Sequence, residues 1–140
     1  MSRPRFYDYK THVLWRRLFA HWIDAIVIGV LALAPAIVLA RVADASVFDW
    51  PAGVMGAVLS LPYFVLLQGR DGRTPGKWLC AIQVVDAEGG VPTRRALVKR
   101  TVPLVLEWLA VLAWVAMLSS PYRQRFGDRW ADTYVVAAGW

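Results

Sequence analysis

The stretch Arg17-Leu18-Phe19-Ala20-His21-Trp22-Ile23-Asp24 decides how the rest of the chain reads, because no further formal charge follows it before Arg41. From Leu18 to Ala40 the chain runs 23 residues with Asp24 as its only charged side chain, and about 20 predominantly apolar residues suffice to cross a bilayer as a helix. This is a first transmembrane helix with an acid inside it. Arg17, His21 and Asp24 stand at i, i+4 and i+7, which puts them on one helical face within two turns. A carboxylate in hydrocarbon costs about 2.5 kcal/mol or more. An acid kept there has a partner or a task.

Outward from that helix, residues 1 to 15 are basic and aromatic, with Arg3, Arg5, Lys10, Tyr7, Tyr9 and Trp15. Such a segment suits a headgroup surface and predicts a cytoplasmic N-terminus. A secretory signal peptide has a similar outline, but Asp24, the length of the run and the later apolar segments predict that the helix is retained. Ala32, Ala36 and Ala40 recur every fourth residue, a spacing that lets two helices approach closely. Alanine is also simply common in such helices, and both readings stand. Pro35 is expected to kink the helix.

Arg41 to Asp49 reads as a short loop on the far side. A second span follows over about 50–69, with Gly53/Ala57 and Gly56/Ser60 repeating the small-residue spacing and Pro62 expected to bend it. Residues 70–100 carry seven basic side chains, Arg70, Arg73, Lys77, Arg94, Arg95, Lys99 and Arg100. That excess predicts a cytoplasmic loop. Within it, Trp78 to Asp86 reads as a short strand ended by the turn Ala87-Glu88-Gly89-Gly90, and Thr93 is placed to cap a helix. A third span is predicted over about 101–120, apolar except for Glu107. Three spans begun inside leave the tail outside, whereas Arg123, Arg125 and Arg129 ask for the inside. Three spans is the reading adopted. The fold class is therefore an all-α integral membrane protein of one domain, 1–140, with a basic cytoplasmic loop holding a β-like segment.

Composition agrees: 58% apolar residues and eight Trp in 140 residues are high for a small soluble protein. A net charge of +6 could point to nucleic acid, yet no zinc ligand set, aromatic RNA-binding signature or long basic stripe accompanies it. Basic residues flanking apolar runs orient helices and meet anionic lipid headgroups. Cys80 is the only cysteine and has no companion for a disulfide or a metal site. His21 lacks a second histidine nearby, so no metal site is predicted. It reads as a hydrogen-bonding group or a proton relay. Gly72 to Lys77 does not make a phosphate loop, because Asp71 stands where the first glycine is needed and Trp78 where the hydroxyl is needed. A tight turn with Arg73 and Lys77 facing phosphates or an acidic side chain is the expectation instead. No nucleophile and base can be paired by spacing, so neither an enzyme nor a cofactor is predicted.

Together these motifs resemble the RDD family of small bacterial membrane proteins, named for an arginine and two aspartates. The family's Arg-x-x-Ala-x-x-x-Asp is met by Arg17, Ala20 and Asp24, and its Gly-x-Thr-x-Gly-Lys by Gly72, Thr74, Gly76 and Lys77. Its apolar strand and acidic-Gly turn are met by Ile82 to Asp86 and Gly89. Near the C-terminus, Phe126-Gly127-Asp128 and Asp132-Thr133-Tyr134-Val135-Val136 follow the family pattern, with Gly127 where His is usual and Asp132 where Gly is usual. The resemblance implies fold, bacterial inner-membrane location and a polar set of Arg17, Asp24 and Asp128, with His21, Glu107, Thr74, Gly76 and Lys77 secondary.

Arg17 is expected to pair with Asp128 or to reach toward Asp24. Seven residues span about 10.5 Å of helix axis, which makes a contact from another element easier. The functional expectation is transport of an ion or small solute, coupled to protons through Asp24. Three helices alone cannot wall a polar pathway from lipid, so this requires a homo-oligomer. The alternative is an adaptor whose Arg/Asp network is structural and whose basic loop binds a partner or anionic lipid.

Overall fold

The computed structural model describes residues 13–106, 110–121 and 123–138. The apolar run is one helix, α1 (Leu14–Ala43), and after a short loop the chain returns as α2 (Pro51–Asp71). Both are long and apolar enough to cross a membrane. Their outer faces carry Val30, Val38, Val58 and Leu66 at 68, 65, 59 and 60% exposure. Apolar side chains left outside in such numbers need an apolar surrounding, not water.

One row on α1, at Arg17, Ala20, Asp24, Ile28, Ala32, Ala36 and Ala40, is buried throughout. Four-residue spacing of small side chains allows the backbones to approach closely, and Ala36 is completely buried where α1 meets α2. The glycines of α2 do not answer this row: a Cβ added at Gly53 or Gly56 would meet nothing within 4 Å. Pro35 and Pro62 lie inside helices that continue through them.

At the end where α1 begins and α2 finishes, the chain forms a compact cap. Gly72 closes α2 with φ of +73°, and its carbonyl accepts the Val84 N–H at 2.9 Å. The short helix α3 (Pro75–Leu79) follows, then β1 (Ile82–Val85). The strand read over Trp78 to Asp86 is thus shorter than expected, with Trp78 and Leu79 helical. The difference follows from Thr74, whose hydroxyl caps α3. Asp86 Oδ1 accepts from the N–H groups of Glu88 and Gly90 and makes the expected turn. Thr93 Oγ1 accepts the Ala96 N–H at 3.3 Å and caps the next helix as predicted.

The segment read as a third span is helical on both sides of residues 107–109, which lie outside the described residues, as α4 (Arg94–Leu106) and α5 (Ala110–Ser119). Arg94 to Arg100 are thereby the first turns of α4. A short helix, α6 (Phe126–Trp130), and a strand, β2 (Tyr134–Ala137), complete the cap. β2 pairs antiparallel with β1 in the register Val84↔Val135. The strands alternate in period two: Ile82, Val84 and Val135 pack with Val13 and Ala20 under α1, while Val85, Tyr134 and Val136 form a second apolar cluster. A two-stranded ribbon is marginal alone, and burial of both faces supplies what it lacks. The tail therefore lies against the basic loop, at the same end of the hairpin.

Candidate functional site

The cap is joined to α1 through two buried carboxylates. Asp24, fully buried, receives three hydrogen bonds from two other segments. Oδ1 accepts from the Tyr63 hydroxyl of α2 at 2.8 Å and from the Gly76 N–H of α3 at 2.9 Å. Oδ2 accepts from the Thr74 hydroxyl at 2.5 Å, and the Lys77 ammonium stands 3.6 Å from it. Three donors and an ammonium are the complement an ionised carboxylate takes.

The residue types of Thr-x-Gly-Lys follow from this joint. The Thr74 hydroxyl donates to Asp24 and accepts from the Lys77 N–H and Nζ at 3.4 and 3.3 Å, which uses its one proton and both lone pairs. Gly76 lets the α3 backbone lie on α1: a Cβ there would strike the Ala20 carbonyl and stand 2.9 Å from the Asp24 carboxyl. Gly76 is small because α3 lies on α1, whereas the Ala20 side chain packs with Ile82, Val84 and Val135. Lys77 is buried beneath α2, with Nζ 5.1 Å from the centre of the Phe64 ring. Burial lowers its pKa from 10.5 to about 7; Asp24 opposes the shift, while Arg100, Arg125 and Arg17 add to it.

Asp128 is the second carboxylate. The Arg17 guanidinium donates to its Oδ2, and Nη1 of Arg17 also donates to the Arg123 carbonyl at 2.5 Å. Arg125 approaches the same oxygen with Nε at 3.8 Å and with its backbone N–H at 3.2 Å, closing the first turn of α6. Arg100 of α4 brings Nη1 to 3.3 Å from Oδ1, a charge contact without hydrogen-bond geometry. Burial pushes the Asp128 carboxyl up, but Arg100, Arg17 and Arg125 outweigh it and hold it well below the ordinary carboxylate range.

The departures from the family pattern have local causes. Gly127 is buried where α6 crosses α4, and a Cβ there would strike the Arg100 carbonyl. Asp132 adopts φ of +52°, a conformation natural to glycine that aspartate tolerates better than most residues.

Of the residues singled out from sequence, Arg17, Asp24, Asp128, Thr74, Gly76 and Lys77 all enter these joints. Arg17 reaches Asp128, not Asp24. His21 is exposed, at the edge of the buried row on α1. Glu107 and His12 lie outside the described residues. Spacing did not single out Tyr63, Arg100 or Arg125; the signal for Tyr63 was a hydroxyl within an uncharged span. Among the described residues no group of three or more His, Cys, Asp or Glu could hold a metal.

Membrane-length helices, a polar cap and two carboxylate joints at the root of α1 define a small helical membrane-protein fold. A family model described as the RDD family matches residues 11–132, and the chain belongs to that family. No curated protein and no solved structure matches it.

Proposed function

We propose that this RDD protein is a transport unit of the bacterial inner membrane, exchanging an ion or small solute against protons at Asp24. The supporting observation is the Lys77 ammonium held 3.6 Å from the Asp24 carboxylate, with a pKa of about 7. Around neutral pH the lysine changes charge. With the proton, Asp24 has a cation beside it; without it, Asp24 keeps its hydrogen bonds but lacks a counter-charge. An unpaired carboxylate attracts a cationic solute, and a paired one does not. That antagonism between proton and solute is what exchange requires.

Two membrane helices do not enclose a polar path from lipid, so the working form in this reading is a homo-oligomer. The N-terminus and the loop 70–100 are cytoplasmic by their basic charge. The tail joins them because β2 pairs with β1. The segment 94–119 then leaves and re-enters on one side. In keeping with this, Arg100 meets Asp128, and Ala116 and Leu118 accept hydrogen bonds from Arg129 and Arg123. The proposal includes no enzymatic step.

An adaptor reading has an observation of its own: the oxygens of both carboxylates already face donors or cations, as in a network that fixes packing. Exposed Arg70, Arg94 and Arg95 would then meet a partner or anionic lipid. Proteoliposomes with an internal pH dye separate the two readings when Na⁺, K⁺, Li⁺ and candidate solutes are added outside. Exchange predicts a solute-dependent pH change that a folded Asp24→Asn protein loses. Silence of correctly inserted wild type across the panel selects the adaptor.

A further inference from the structure

A groove of about 300 Å³ opens where α1 begins, lined by Val13, Leu14, Trp15, Arg16 and Arg123. It is separate from both carboxylate joints but tied to one of them, since the carbonyl of Arg123 is the second acceptor of Arg17. Its lining combines two arginines with a tryptophan and two aliphatic residues. We propose that this groove seats the phosphate headgroup of an anionic membrane lipid between Arg16 and Arg123.

Position, charge and shape support that occupant. α1 has 30 residues, about 45 Å at the usual rise, whereas the hydrocarbon core is about 30 Å thick. The first turns of α1 therefore stand at headgroup level, where Trp is favoured. A guanidinium presents a planar fork of donors that fits phosphate oxygens. Arg16 is exposed and Arg123 half-exposed, with Nη1 of Arg123 donating to the Leu118 carbonyl at 3.2 Å. The rest of its fork can face the groove.

A lipid fits better than a free anion because the groove continues as an apolar stripe. Trp15, Phe19 and Trp22 stand at i, i+4 and i+7 and are 68, 60 and 62% exposed. A headgroup at Arg16 and Arg123 places an acyl chain beside that stripe.

The test is native mass spectrometry of the full chain released from nanodiscs of phosphatidylcholine and phosphatidylglycerol in a 4:1 ratio, about one anionic lipid in five as an experimental choice. Wild type is expected to retain phosphatidylglycerol in preference to phosphatidylcholine. The double variant Arg16→Gln/Arg123→Gln should lose retention by about five-fold for each arginine, the equivalent of about 1 kcal/mol. Arg41→Gln removes one exposed arginine from the far end of α1 and should leave retention unchanged. Should Arg123→Gln disturb the fold, Arg16→Gln alone still predicts about a five-fold loss. Unchanged retention in the groove variants, or a loss in Arg41→Gln equal to that in Arg16→Gln, would overturn the site in favour of diffuse attraction. Displacement of the lipid by excess inorganic phosphate would instead make it a free-anion site and overturn the lipid assignment.

Discussion

The guanidinium of Arg17 closes on the carboxylate of Asp128, 111 residues further along the chain. This contact fastens the last helix of the cap to the first turn of the membrane hairpin. Asp128 also faces Arg100 and Arg125, whereas Arg17 pairs with Asp128 alone among the described carboxylates. The two partners are therefore not equivalent. Asp128→Asn removes the carboxylate that Arg17, Arg100 and Arg125 share and is expected to destabilise the fold by about 3–5 kcal/mol. Arg17→Gln leaves Asp128 with two cations and should cost about 1–3 kcal/mol. Denaturant unfolding in detergent micelles measures both, and equal losses would mean that Arg100 and Arg125 do not share the carboxylate.

Acid should open the same joint. The folded Asp128 carboxyl titrates well below the ordinary carboxylate value, so its stabilisation is complete above about pH 4 and declines as pH falls further. Unfolding midpoints measured from pH 6 downward are expected to fall, with a shallower slope in Asp128→Asn. The same slope in both proteins would assign the acid sensitivity to other groups.

Lys77 acts in the opposite range. Its pKa is lowered from 10.5 to about 7 in the folded chain, so between those values the unfolded chain binds more protons and stability rises with pH. Below pH 7 lysine is charged in both states and contributes no slope. Unfolding midpoints should climb between about pH 7 and pH 9, and Lys77→Met should flatten that climb. A wild-type profile already flat over this interval would leave Lys77 with an ordinary pKa and remove the main support for proton exchange at Asp24.

Glycine positions separate the joint from the hairpin. A Cβ at Gly76 meets the Ala20 carbonyl and the Asp24 carboxyl, whereas one at Gly56 meets nothing within 4 Å. Gly76→Ala is expected to cost about 1–3 kcal/mol by forcing α3 off α1. Gly56→Ala should gain about 0.5–1 kcal/mol, because alanine loses less backbone freedom in a helix. The difference in unfolding midpoint between the two variants tests whether the close approach lies at α3, not along α2.

What could be read from the chain beforehand follows the range of each interaction. The spans over α1 and α2 were readable because an unbroken apolar run is a local property. Arg17, Ala20 and Asp24 were readable as a set because helical spacing places them on one face, and Thr74, Gly76 and Lys77 because they stand together in a turn. Their partners were not, since the meeting of Asp24 with Tyr63 joins residues 39 apart and no periodicity encodes it. β2 was missed for the same reason: Tyr134-Val135-Val136 is an aromatic and β-branched run too short to declare a strand until β1 lies beside it. The helical character of the third apolar run was readable on the same ground as that of α1 and α2, and it stands as α4 and α5, with residues 107–109 outside the described residues.

The pairing of β1 with β2 makes the last prediction, that the tail and the basic loop share one side of the membrane. α4 and α5 both touch the cap, since Arg100 meets Asp128 and the Ala116 carbonyl accepts a hydrogen bond from Arg129. In a Cys80→Ser background, single cysteines are placed by Glu88→Cys in the β1 turn, Arg129→Cys in α6 and Asp44→Cys in the loop between α1 and α2. All three positions are exposed. A membrane-impermeant maleimide applied to oriented vesicles should label the first two from one side and the third from the other. If position 129 instead labels together with position 44, the segment 94–119 crosses the bilayer once. The β1–β2 ladder, and with it the Arg17–Asp128 contact, could then not form in the membrane.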